Sequence, residues 1–113
     1  MPANHVIWIR VVNGRILIVP YRRPTKTSDT VEWRCETHPF WITFINTSPL
    51  SGGATEVDGT QKTPEYWTSG PQEIVTTELD SYPYTVDLLR RNPERGGEVE
   101  RLHHGSPDII VEL

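Results

Sequence analysis

Apolar and polar residues alternate with a period of two along much of the chain, and β-branched and aromatic side chains fill the apolar places, the pattern of half-buried strands. Over residues 5–12, Val6, Trp8, Arg10 and Val12 share one face and His5, Ile7, Ile9 and Val11 the other. Both faces are largely apolar, which predicts a strand that is central or touches two layers. Asn13-Gly14 follows, the dipeptide best suited to the positive φ angles of a type I′ turn, and the β pattern resumes over 15–21, so a hairpin is expected over 5–21. Pro20 and Pro24 then bracket Arg22 and Arg23. Proline has no N–H for a ladder, and the chain is expected to leave the sheet there. The next strand, 30–35, sets Val31, Trp33 and Cys35 against Glu32 and Arg34. Over 40–46, Phe40, Ile42 and Phe44 share the face best suited to a core. Strand character returns at 73–79, at 82–90 with Tyr82, Tyr84, Val86 and Leu88 on one side, and at 106–113 with Ile109 and Val111 together. The pattern therefore predicts seven strands, no helix, and two long connections at 47–72 and 92–105.

Composition narrows the class. With 113 residues the chain supports one domain over 1–113. Ten prolines and eight glycines oppose a helical bundle, and a single cysteine excludes an intramolecular disulfide. No apolar run approaches the length of a signal h-region or a membrane span, so the chain reads as cytoplasmic. Charge is uneven. Residues 1–34 carry a net of +4 and residues 35–113 a net of −8, giving −4 overall. Strands from both halves are expected to interleave and mix these signs on the surface.

Seven short strands with turn signals between them suggest a Greek-key β-sandwich. The order of motifs resembles the cupredoxin, or plastocyanin-like, fold. Asp29-Thr30-Val31-Glu32-Trp33 looks like the strand in which a polar turn precedes a Val-x-Trp pair. His38-Pro39-Phe40-Trp41-Ile42-Thr43-Phe44 resembles the family's Pro-His-x-x-x-Phe strand. Ser81-Tyr82-Pro83-Tyr84-Thr85-Val86 resembles the aromatic strand that leads to the copper loop, and Pro107-Asp108-Ile109-Ile110-Val111-Glu112 resembles the last strand. The likeness spans about residues 12–113. The blue-copper ligands do not follow. Phe40 stands where the first histidine belongs, Val86 where the thiolate belongs, Leu88 to Arg91 where the second histidine belongs, and the only methionine is Met1. The resemblance thus implies an all-β sandwich of cupredoxin-like topology without a metal or other cofactor, in a class that serves as binding or accessory modules, some in bacterial signalling systems.

Other chemistry is sparse. Cys35-x-x-His38 has ligand-like spacing, and His103-His104 adds two imidazoles, so a non-standard copper or zinc site from Cys35, His38, His103 and His104 is the alternative. Cys35 continues the inward face of Val31 and Trp33, which instead favours a buried thiol. His104, Ser106 and Asp108 are triad residue types without a nucleophile elbow, and Gly52-Gly53 lacks a phosphate-loop lysine, so no enzyme is expected. Arg22, Arg23 and Lys26, with Arg90, Arg91 and Arg95, could contact anions. The overall negative charge opposes nucleic-acid binding. The expected role is recognition of a protein partner through the long connections, with Tyr66 and Trp67 as aromatic anchors and Arg90 and Arg91 at the rim.

Overall fold

The computed structural model describes residues 2–13, 15–89, 99–100 and 107–112. Among these residues twelve strands form two sheets: β1 (Asn4–Val12), β2 (Arg15–Val19), β3 (Arg22–Thr25), β4 (Thr30–Cys35), β5 (Phe40–Phe44), β6 (Glu56–Gly59), β7 (Gln61–Lys62), β8 (Trp67–Thr68), β9 (Gln72–Glu73), β10 (Ser81–Leu89), β11 (Val99–Glu100) and β12 (Asp108–Val111). The first sheet runs β2-β1-β4-β8-β7, with β9 also on β4, and the second runs β3-β12-β10-β5-β6, with β11 on β10. β1 pairs antiparallel with β2 and parallel with β4, and β12 pairs parallel with β3. Among the described residues no helix is long and apolar enough to cross a membrane.

The inward faces of β4, β5, β10 and β12 are those the alternation predicts, and on β1, apolar on both sides, Ile7 and Ile9 are the residues that turn inward. Ile7, Ile9, Ile16, Ile18, Val31, Trp33 and Cys35 come from the first sheet. Phe40, Ile42, Phe44, Tyr82, Tyr84, Val86, Leu88, Ile109 and Val111 meet them from the second, and all are buried. The rings of Trp33, Phe44 and Tyr84 pack edge-on, with centroids 5.5, 5.7 and 6.2 Å apart, the geometry that ring quadrupoles favour. Gly59 lies opposite Phe40 in the β5–β6 register, and a Cβ there would fall 2.2 Å from Phe40 Cε2. Only glycine admits that ring.

The β1–β2 hairpin forms as expected, with Asn13 at φ 52 in the left-handed region; Gly14 lies outside the described residues. Four expectations are corrected. The chain does not leave the sheet at Pro24, because β3 is an edge strand paired only with β12 and the missing N–H costs the ladder nothing there. The connection at 47–72 is not an irregular loop: β6 joins β5, β7 and β8 form a hairpin on β4, and β9 begins beside it. Segments of two to four residues are too short to show a period. Of the strand expected at 73–79, only Gln72–Glu73 and a bridge between Ile74 and Leu50 form, and Val75 and Leu79 are exposed. In the connection expected at 92–105, Val99–Glu100 pairs with β10.

A chain of polar contacts ties the sheets together at one end. Arg23, on β3, donates from Nε and Nη2 to His5 Nδ1, on β1, at 2.9 and 2.7 Å. Arginine can only donate, so Nδ1 is the acceptor and the His5 proton sits on Nε2, 2.7 Å from Asp29 Oδ2. Asp29 also accepts from the backbone N–H groups of Ala3 and Lys26. Burial resists ionisation of this carboxyl, but the bond from His5 and the two backbone donors outweigh it and hold its pKa at about 2.

Candidate functional site

Because the sandwich buries one face of each sheet, function is sought on the outward faces. In the first sheet the registers place Val19, Trp8, Arg34, Thr68 and Gln61 in one row across β2, β1, β4, β8 and β7. The turn at 63–66 brings Tyr66 onto this face. The Thr63 hydroxyl accepts from Tyr66 N at 3.0 Å and donates to Tyr66 O at 2.9 Å, closing the β7–β8 hairpin. The Trp8 and Tyr66 rings meet edge-on, 5.6 Å between centroids at 86°. The Arg34 guanidinium lies 4.6 Å from the Tyr66 centroid and 5.7 Å from that of Trp8.

Arg34 is held there by its second partner. Its Nε and Nη2 donate to the two carboxylate oxygens of Glu32 at 2.9 and 3.2 Å, and the Thr68 hydroxyl donates to Glu32 as well. Burial disfavours the Glu32 carboxylate, yet the bonds from Arg34 and Thr68 prevail and lower its pKa; the same pairing raises that of Arg34. The fork leaves the guanidinium plane fixed against two rings, a pre-formed aromatic and cationic surface.

Beside this stack the same face turns apolar and open. Val12, Leu17 and Val19 are 47%, 41% and 48% exposed, with Val6 half-buried next to them. Arg10 lies opposite Leu17 and Arg15 opposite Val12, both exposed and neither in an ion pair among the described residues. A hollow of ≈ 420 Å³ opens between Val12, Asn13, Arg15 and Leu17.

The second sheet's outward face differs. Trp41 sits between Asp58 and Asp87, and Thr43 between Glu56 and Thr85. Arg22 there pairs with Asp108 at 3.3 Å. Strands from both halves interleave as expected. Among the described residues, acidic side chains predominate on this face, while Arg10, Arg15 and Arg34 share the other with Glu32 and Glu73.

The sequence-derived site residues are only partly brought together. Tyr66 is on the outer face of the first sheet. Trp67, its neighbour, points the other way, opposite Cys35 in register, half-buried against the core with the Lys62 ammonium 5.5 Å over its ring. Adjacent residues of a strand take opposite sides, so the pair does not form one anchor. Arg90, Arg91, His103 and His104 lie outside the described residues. Cys35 is fully buried, with Sγ 3.7 Å from Thr37 Oγ1, and His38 Nδ1 is 2.7 Å from the same hydroxyl. Among the described residues no three of His, Cys, Asp and Glu cluster in a way that could hold a metal ion. Trp8 and Arg34 were legible only as outward positions of their strands. Their meeting depends on the parallel β1–β4 register, which no local signal encodes.

The fold is a two-sheet β-sandwich, and solved amicyanins are similar to it. Two Cu(I) forms of amicyanin, with alanine or glutamine in place of a methionine, each superpose with a TM-score of 0.49 at 16% identity, covering 95% of this chain and 82% of theirs. A reduced amicyanin with a tryptophan-to-tyrosine substitution gives a TM-score of 0.47 at the same identity and coverage. The likeness is one of fold, and amicyanin's copper is not carried over from it. No protein-family model and no curated protein matches the chain.

Proposed function

We propose that this protein is a non-enzymatic binding module that recognises a protein partner through the outer face of its first sheet. The observation that carries this reading is the patch of Val12, Leu17 and Val19, left exposed beside the fixed Trp8–Arg34–Tyr66 stack. Aromatic and arginine side chains dominate interface energetics, and clustered exposed aliphatic residues mark interaction surfaces more often than scattered ones. A non-catalytic role is supported by the His5–Asp29 pair, whose imidazole has both nitrogens engaged, by Arg23 and by Asp29, leaving none to take a proton from a substrate. This surface lies on a sheet face, to which the turn at 63–66 contributes Tyr66.

The test is affinity capture from a cell lysate with three baits: the wild type, Leu17→Glu, and Asp58→Lys on the opposite outer face. The reading expects Leu17→Glu to lose proteins that the other two retain. Identical capture by all three baits would overturn it.

A further inference from the structure

Six strands have a single partner among the described residues, and five of them are guarded. β3 carries Pro24, β6 presents Glu56 and Asp58 and ends in Gly59, and β7, β9 and β11 are two residues long and include Lys62, Glu73 and Glu100. Short length, proline and outward charge are the usual devices that keep an edge from pairing with another chain. β2 is the least guarded. It spans five residues, Arg15–Val19, with Ile16 and Ile18 buried beneath and Leu17 and Val19 exposed above, and its one charge is at its first position. The same edge borders the hollow between Val12, Asn13, Arg15 and Leu17.

Charge indicates what an added strand would carry. Arg15 is on β2 itself and Arg10 one strand inward, opposite Leu17. A further strand would lie about 4.8 Å beyond β2, within reach of both guanidinium groups. Arg34, by contrast, is neutralised by Glu32. Arg10 and Arg15, without an ion pair among the described residues, therefore lie at the β2 side of the face, where the aliphatic patch is also most exposed.

We infer that the partner contributes an extended segment alternating acidic and β-branched residues, which pairs with the free edge of β2 and sets its carboxylates against Arg10 and Arg15. Main-chain hydrogen bonds supply the affinity of such strand addition, and the alternate side chains its specificity. The inference rests on the outer-face reading above and specifies the chemistry of the partner.

The experiment uses fluorescein-labelled decapeptides: alternating Val and Glu, alternating Val and Lys, and the Val-Glu peptide N-methylated at every second residue. Binding is read by anisotropy, with hydrogen exchange of the β2 amides read in parallel. The Val-Glu peptide should bind, slow exchange in β2, and weaken as salt rises from ~50 to ~500 mM. The Val-Lys and N-methylated peptides should bind at least about tenfold more weakly, as should Val-Glu to Arg10→Glu/Arg15→Glu, while Asp58→Lys binds it as the wild type does. Equal binding of Val-Glu and Val-Lys, or no protection of β2, would overturn the inference. So would a concentration-dependent dimer that Leu17→Glu abolishes in a protein that binds no peptide, since a second copy would then be the occupant. If Leu17→Glu loses captured lysate proteins while the peptides show no charge preference, the acidic strand is wrong and the outer-face reading stands. If Leu17→Glu retains those proteins, both fall.

Discussion

The two faces of the first sheet are built from similar residues and meet different fates. Inward, Ile7, Ile9, Val31 and Trp33 are buried against the second sheet; outward, Val6 and Trp8 are half-buried and Val12, Leu17 and Val19 stay exposed. A strand that is apolar on both sides usually sits between two layers. β1 is central in its sheet, between β2 and β4, but its outward aliphatic residues remain open. The outer face of the second sheet, with Glu56, Asp58 and Asp87, is what an ordinary solvated face looks like. The difference teaches that apolar character on a strand is a statement about contact, whether with the protein's own core or with something else.

The contrast is sharpened first by substitution on the inner side. Trp33→Ala is expected to cost about 3–5 kcal/mol, because a fully buried ring leaves a cavity among Phe44 and Tyr84. A denaturant midpoint barely changed from wild type would show that the inner face is no better packed than the outer. Next comes the polar tie between the sheets. Asp29→Asn should cost about 3 kcal/mol by weakening a buried, three-fold accepted carboxylate. Its folded pKa, about 2, lies below the ordinary 3.8, so its contribution is complete above about pH 4 and is lost as pH falls toward 2. Urea midpoints from pH 2 to 6 should flatten in Asp29→Asn relative to wild type, and an unchanged slope would remove Asp29 from the account of acid stability.

On the outer face the expected effects shrink. Arg34→Ala should cost about 2 kcal/mol, mostly by leaving the Glu32 carboxylate without its cation in a buried place. Thermal unfolding of Arg34→Ala beside Arg34→Ala/Glu32→Ala checks this, since removing both partners should recover part of the loss. Smallest of all, Leu17→Glu should change stability by no more than about 0.5 kcal/mol while abolishing partner capture. A large destabilisation at Leu17 would mean that the patch serves the fold and would erase the contrast between the two faces.

Particular residues show how far the sequence could be read. Val31, Trp33, Cys35, Phe40, Ile42 and Phe44 were legible as core because burial of one face imposes a period of two. Asn13 announced the hairpin because few residues tolerate positive φ. Pro24 misled, since the rule that proline leaves a ladder holds for strands paired on both sides and β3 is paired on one. β6, β7 and β8 were read as loop because strands this short are specified by the neighbours they pair with. Tyr66 was found as an aromatic residue, but its partners Trp8 and Arg34 are 58 and 32 positions away.

An all-β sandwich and many of the residues that fill it are thus set by the sequence itself. Each is a local matter of residue type, period and spacing. Folding alone brings Trp8, Arg34 and Tyr66 into one stack and makes β2 the least guarded edge. Those depend on which strands lie side by side and in what register, and pairing between distant segments is set by the packing of the whole core.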